Sequence, residues 1–270
     1  MTIRCAQRGR ADLVRLRAMP TPLALVLAAG KGTRMESDLP KVLHRLAGRP
    51  LVDYPLRAAA TAGARKIVFV VGHGADEVRA ELEREPPSDI ELAFALQAEQ
   101  KGTGHAVYCA LEAMEGHDGP VLILSGDVPL LRAQTLRELA AAASEEGASM
   151  SMLSFRPPDP TGYGRVLRDA EGRVHAIREQ RDASDEELAI GECNAGVYCV
   201  DADVLREELP KLGTDNAQGE MYLTDLVEAR AVVGDVRVLQ VPPLEVAGVN
   251  TPEQLAALEA VVRLARGGDA

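Results

Sequence analysis

No apolar run in the 270-residue sequence approaches the roughly 20 residues that cross a bilayer as a helix, so no membrane role is expected. Cysteine is scarce: Cys5, Cys109, Cys193 and Cys199 have neither C-x-x-C spacing nor the density of a disulfide scaffold. That usage argues against a structural zinc site and points to a reduced, cytoplasmic setting. Positive charge is also in deficit, the formal net charge being -11. Non-specific nucleic-acid affinity comes from cations meeting phosphates, so a general nucleic-acid binder is excluded. Any anionic ligand must be held by a local cluster of cations.

What is present is ordinary for a soluble globular protein, with 26% charged and 46% hydrophobic residues and a length that suits one large or two small domains. The first 22 residues differ. They carry Arg4, Arg8, Arg10, Arg15 and Arg17 against the single acid Asp12, and lack the apolar block and cleavage site of a secretory signal. A disordered basic extension is expected over 1–22, with Met19 as a competing start.

The main signal is the stretch LALVLAAGKGTRMESDLPK, Leu23 to Lys41. Leu23, Leu25 and Leu27 with Val26 suit a strand buried on both faces of a parallel sheet. Gly30 and Gly32 then let the backbone turn and bring its N–H groups to an anion, with Leu27, Ala28 and Ala29 leading into the turn. Thr33 adds a hydroxyl, and Lys31, Arg34 and Lys41 supply charge. A polyphosphate is the economical ligand. The Walker pattern fails because Gly32 is followed by Thr33-Arg34, and the dinucleotide fingerprint fails because its third glycine is Met35.

Downstream, Leu51 to Ala62 reads as a helix ending at Gly63, Lys66 to Val71 as a second buried strand, and Ala75 to Glu85 as an amphipathic helix. His73, between two glycines, reads as a surface turn residue. A third strand, Glu91 to Leu96, leads into Gln97-Ala98-Glu99-Gln100-Lys101-Gly102-Thr103-Gly104-His105. Those amides either read a hydrogen-bonding ring, such as the imide edge of uracil, or cap the next helix. Pro120 to Leu124 is a fourth strand with Ser125-Gly126-Asp127 at its carboxyl end, where open α/β sheets bind ligands. Asp127 there suits either Mg²⁺ or an Asx turn. A helix over 132–146, a strand over 150–155 and a hairpin from Arg165 to Glu179 around Gly172 follow. Thr251-Pro252-Glu253-Gln254 has the makings of a capping box opening a last helix to Arg266. Strand and helix alternating in this way define an α/β, Rossmann-like fold with a mixed, mainly parallel sheet.

The strings LAAGKGTRM, LPKVL, GTGHA, TGYGR and NAQGEMYLTD resemble the sugar-1-phosphate nucleotidylyltransferases, above all the uridyltransferase domains of the bacterial N-acetylglucosamine-1-phosphate uridyltransferase family. The resemblance covers 23–266. It implies a nucleotidyltransferase domain over 23–270, with a smaller sugar-binding subregion at about 148–230. It also implies uridylyl transfer from UTP to N-acetylglucosamine 1-phosphate for cell-wall precursor synthesis. Arg34 and Lys41 are implied as catalytic, and Leu27, Ala28, Ala29, Gly30, Gly32, Thr33, Gln97, Gln100, Gly102 and Thr103 as UTP-binding. Gly126, Gly164, Glu179, Asn194, Tyr222 and Thr224 are implied for the sugar, with Tyr163 nearby, and Asp127 and Asn250 as the ligands of Mg²⁺. Two residues depart from the family pattern: Ala195 follows Asn194 where Thr is common, and Met221 stands where a second aromatic is usual. The hexapeptide repeats of the family's acetyltransferase half are not found in this sequence. A transferase for another sugar or base, or a UDP-sugar sensor without turnover, are the rival readings.

Overall fold

The computed structural model describes residues 21–267. The arginine-rich stretch 1–20 lies outside the described residues. The first half of the chain runs β1 (Leu23–Ala28), the short strands β2 (Arg45–Leu46) and β3 (Arg49–Pro50), α1 (Asp53–Ala62), β4 (Lys66–Val71), α2 (Ala75–Arg84), β5 (Glu91–Leu96), α3 (Thr103–Cys109), β6 (Pro120–Ser125) and α4 (Ala133–Ala143). The second half adds β7 (Ala148–Phe155), β8 (Arg165–Arg168), β9 (Val174–Arg178), α5 (Asp185–Leu188), β10 (Cys193–Asp201), α6 (Ala202–Glu208), α7 (Asp225–Ala231), β11 (Asp235–Gln240) and α8 (Pro252–Gly267).

The apolar run of β1 earns a place inside the sheet, where it pairs in parallel with β4 on one side and β6 on the other. The order across the sheet is β11-β7-β10-β6-β1-β4-β5, with β8 and β9 attached beside β10. From β6 to β5 every pairing is parallel, while β10 lies antiparallel between β6 and β7. This is the mixed Rossmann-like sheet that the alternating pattern implies. Side chains of β1 alternate between two cores, as a period of two requires. Ala24, Val26 and Ala28 pack with residues of α1, α2 and α4, whereas Leu23 and Leu25 pack with residues of α3, α6 and α7. Both sheet faces are therefore helix-covered.

A third cluster joins the start of the chain to its end. Met35, the residue that breaks the dinucleotide fingerprint, is buried with Leu46, Leu51, Val249 and Leu258. The glycine loop is thus pinned against α8 by an apolar side chain instead of approaching a helix through a third glycine. The helix expected over 132–146 ends at Ala143, and residues 144–147 turn through Gly147 at φ 78° into β7. Strands β10 and β11 carry no clear alternation signal and emerge only from the pairing. Among the described residues no helix is long and apolar enough to cross a membrane.

Candidate active site

Three loops at the carboxyl ends of β1, β5 and β6 enclose a cleft of about 300 Å³, lined by Leu27, Ala28, Ala29, Gly30, Lys41, Gln97, Gln100, Gly102, Thr103, Ser125, Asp127 and Glu220 among others. Ten of these come from the catalytic, nucleotide and metal residues implied by the family resemblance. In the first loop, Gly32 has φ 64°, and a Cβ there would lie 2.4 Å from Lys41 Cβ, so the loop folds directly onto the lysine. Gly30 has no such constraint: a Cβ would meet nothing within 4 Å. Gly32 is therefore the glycine that packing against the protein requires, while Gly30 lines the cleft with open space where a Cβ would stand. Thr33 and Arg34 sit on the exposed 3-10 turn Thr33–Met35 at the rim.

The turn Gly72–Gly74 wedges between these loops. A Cβ on Gly74 would fall 2.2 Å from Pro40 Cγ, and one on Gly72 would fall 2.9 Å from the Ala29 carbonyl and 3.1 Å from that of Gln97. This packing orients Pro40 and hence Lys41. His73 between them is exposed.

Lys41 Nζ donates to Asp127 Oδ2 at 2.5 Å and to Asn250 Oδ1 at 3.0 Å, and Arg34 Nη2 donates to the same amide oxygen at 3.0 Å. Residues 127 and 250 meet because the Val249 N–H donates to the Asp127 carbonyl at 3.0 Å. Gln254 accepts from the Asn250 N–H at 2.7 Å while its own N–H donates to Thr251 Oγ1 at 3.3 Å. The capping pattern at α8 therefore holds Asn250 instead of closing on Thr251 alone. A carboxylate and an amide oxygen already converging on one cation suit a hard divalent ion, with Mg²⁺ keeping waters and substrate oxygens as its other ligands. Among the described residues no three His, Cys, Asp or Glu side chains gather into a closed metal cage.

The segment expected to read a base or cap the next helix is tied down from within. Gln97, 4% exposed, donates to the Gly102 carbonyl at 3.0 Å and faces His105 Nδ1 at 3.1 Å, and Gln100 donates to the Ala29 carbonyl at 2.6 Å. Thr103 Oγ1 accepts from the Leu223 N–H at 3.1 Å. The amides here serve loop geometry at least as much as they cap α3, whose N-cap has no side-chain bond.

Of the sugar-assigned residues, Gly164, Glu179, Asn194, Tyr222 and Thr224 form a second cluster, whereas Gly126 sits against Leu27, Ala28 and Val42 beside the cleft. Gly126 N–H donates to the Leu27 carbonyl at 2.9 Å, and a Cβ on Gly126 would crowd that oxygen at 3.0 Å. Gly164 lies under Glu179, whose carboxylate oxygens are 3.4 and 3.5 Å from where a Cβ would be. Thr224 donates to Glu179 Oε1 at 3.0 Å, and Tyr222 donates to Asp182 Oδ2 at 3.1 Å. Burial pushes the Glu179 carboxyl above its ordinary range, against the lowering effect of the Thr224 hydroxyl. Asn194 joins through its N–H, which donates to the Gly164 carbonyl at 2.9 Å. Tyr163 packs edge-on to Phe155 at 4.9 Å. Burial raises its phenol, and the Asp127 charge adds to the rise. Sequence reasoning missed Tyr198, Asp182 and Gln218. Only Tyr198 left a signal, a hydroxyl inside the apolar run Val197–Val200.

A phosphate-sized cleft at the carboxyl edge of parallel strands, flanked by two cations and two hard oxygen donors, defines a phosphate-handling α/β protein. The chain belongs to the MobA-like NTP transferase domain family, whose sequence model matches residues 24–189. It is similar to bifunctional protein GlmU of Anaeromyxobacter dehalogenans (strain 2CP-C), 52% identical over 237 residues, which is 87% of this chain and 48% of that protein. The bifunctional protein GlmU of Trichlorobacter lovleyi is 50% identical over 247 residues, 91% of this chain and 53% of that protein. That of Corynebacterium efficiens is 48% identical over 240 residues, 86% and 48% of the respective chains. The chain spans about half the length of the curated relatives it matches.

Proposed function

We propose that the chain is a UDP-N-acetylglucosamine diphosphorylase, transferring a uridylyl group from UTP to N-acetyl-α-D-glucosamine 1-phosphate and releasing pyrophosphate. The observation that carries this reading is the meeting of Arg34, Lys41, Asp127 and Asn250 at the mouth of the cleft lined by Gln97, Gln100, Gly102 and Thr103. The family resemblance of the five motifs and the likeness to the GlmU proteins support it.

In the proposed reaction an oxygen of the sugar phosphate attacks the α-phosphorus of UTP in line. The new P–O bond forms as the bond to the β-phosphate oxygen breaks. Such chemistry requires placement and charge neutralisation more than a covalent nucleophile. Lys41 and Arg34 hold the phosphates and stabilise the charge that builds on the leaving pyrophosphate. Backbone N–H groups of Gly30, Gly32 and Thr33 cradle the triphosphate. Asp127 and Asn250 are the residues that would hold Mg²⁺, which supplies charge neutralisation at the reacting phosphates when bound. Glu179, Asn194, Gly164 and Thr224 would receive the sugar, with Tyr222 and Gly126 beside them.

The test is pyrophosphate release with Mg²⁺ across four nucleoside triphosphates and several sugar 1-phosphates. A maximum at UTP with N-acetylglucosamine 1-phosphate supports the reading, and a maximum elsewhere overturns the substrate. A second reading, a different sugar 1-phosphate, is favoured by one observation: Ala195 lacks the hydroxyl common in the family. Nucleotide-sugar binding without turnover at any pair would instead mark a sensor.

A further inference from the structure

Asn194 lies in the first part of β10, at a point where that strand departs from regular pairing. It pairs with Ser154 and Tyr198 pairs with Met152, and the register shifts between the two. Gly196 within the bulge has φ 70°, a conformation that glycine adopts freely. The bulge brings the Asn194 amide to the Tyr198 phenol, and the contact is short: Nδ2 donates to the Tyr198 hydroxyl at 2.6 Å. The other end of the amide is also fixed, since Oδ1 accepts from the Gly196 N–H at 3.1 Å. That second bond settles which end of the amide faces the phenol.

Tyr198 is suited to hold a neighbour still. It is 3% exposed and packed into the core shared by β6, β7, β8 and β9, with Ile123, Met152, Val166 and Ile177 in the same cluster. Its hydroxyl stands close enough to Glu179 for that charge to raise the phenol further, after burial as the main cause. The ring therefore lies behind the sugar-assigned cluster, on the core side, and touches it through Asn194.

We propose that Tyr198 is a positioning residue that fixes the Asn194 amide for recognition of the sugar 1-phosphate, setting affinity for the sugar without contacting the nucleotide. This rests on the assignment of Asn194 to the sugar. The second Asn194 N–H is then left to a polar acceptor on the sugar, such as a hydroxyl or an acetamide carbonyl. Without the phenol the amide loses its anchor and leaves a donor unmatched.

The experiment is steady-state kinetics on wild type, Tyr198→Phe, Asn194→Ala and the double variant, varying UTP and the sugar 1-phosphate in turn. Tyr198→Phe is expected to raise KM for the sugar about tenfold, with KM for UTP and kcat within about twofold of wild type. In the Asn194→Ala background the Phe substitution should add nothing, because the group it positions is gone. Parallel shifts in both KM values, full additivity of the two substitutions, or an unchanged sugar KM would each overturn the proposal. Thermal melts fix an assay temperature at which all four proteins are folded. Wild-type specificity is measured first, so that an error in the substrate shows as preference for another sugar. The same cycle run on that sugar then decides the role of Tyr198.

Discussion

The cleft assigned to the nucleotide and the cluster assigned to the sugar are built in opposite ways. Around the cleft, all the lining residues but Glu220 lie at or beyond the carboxyl ends of β1, β5 and β6, each loop delivered by the strand before it. Around Glu179, four separate segments contribute one or two residues each: Gly164 before β8, Glu179 after β9, Asn194 in the bulge of β10, and Tyr222 and Thr224 before α7. Local delivery makes the first half depend on a few loop conformations. Long-range assembly makes the second depend on hydrogen bonds between segments, such as Thr224 to Glu179 and Asn194 to Gly164. Catalysis and selectivity should therefore separate under mutation. The largest effect is expected at Asp127, whose carboxylate holds Lys41, the cation that also reaches Asn250. Asp127→Ala should lower kcat about a thousandfold with little change in KM for the sugar 1-phosphate, as read by pyrophosphate release at limiting Mg²⁺. Near-wild-type turnover would remove the metal-ligand role.

The 216–223 segment joins the two groups, which offers a way to break both together. The Gly104 N–H donates to the Met221 carbonyl, the Met221 N–H to that of Lys101, and the Leu223 N–H to Thr103 Oγ1. Consecutive residues 223 and 224 thus reach the base-assigned loop and Glu179. Gly102 sits at the joint with φ 103°, and a Cβ there would lie 2.4 Å from the Met221 carbonyl oxygen. Gly102→Ala is both strained and sterically blocked, so the loop and the 216–223 segment must part. A fall of about a hundredfold in kcat/KM is expected, with KM rising for both substrates instead of one. A KM change confined to UTP would mean that the halves work independently.

The same contrast explains how much was legible in the sequence. The first strands came out nearly residue for residue because each buried run, from Leu23 to the one at Pro120, is bounded by glycine or polar turns. Lys41 was readable as a cation after the glycine loop and Asp127 as a carboxylate at a strand end, although nothing local said that they would touch. That contact depends on Val249 bonding to the Asp127 carbonyl across more than a hundred residues, with Met35 packed against Leu258. Strand β10 was hidden because Asn194, Gly196 and the bulge interrupt the alternation that would have announced it. Tyr198 left only a hydroxyl inside the apolar run Val197–Val200 as its signal. The glycines at 72 and 74 looked like an ordinary turn, whereas their lack of a Cβ lets Ala29 and Pro40 approach. Close approach between distant segments leaves no periodic trace.

Glu179 sharpens the comparison at the small end of the scale, because the sugar half carries a titration that can be followed. Burial raises its carboxyl in the folded protein, whereas the unfolded chain returns it to its ordinary value of 4.5. Below that value the group is neutral in both states and its contribution to stability is intact. As pH rises through the raised folded value, the folded protein must ionise a buried carboxyl, and that contribution is lost. Glu179→Gln keeps an oxygen to accept from Thr224 but stays neutral at every pH. The variant should therefore melt above wild type at neutral pH, with the gap closing toward about pH 4. It should also raise KM for the sugar 1-phosphate about tenfold while leaving KM for UTP unchanged. Thermal melts across that range, run beside the kinetics, check both. A gap that persists unchanged at low pH would mean that Glu179 acts through packing instead of charge, and a shift in KM for UTP would mean that the sugar cluster reaches further into the nucleotide cleft than its hydrogen bonds indicate.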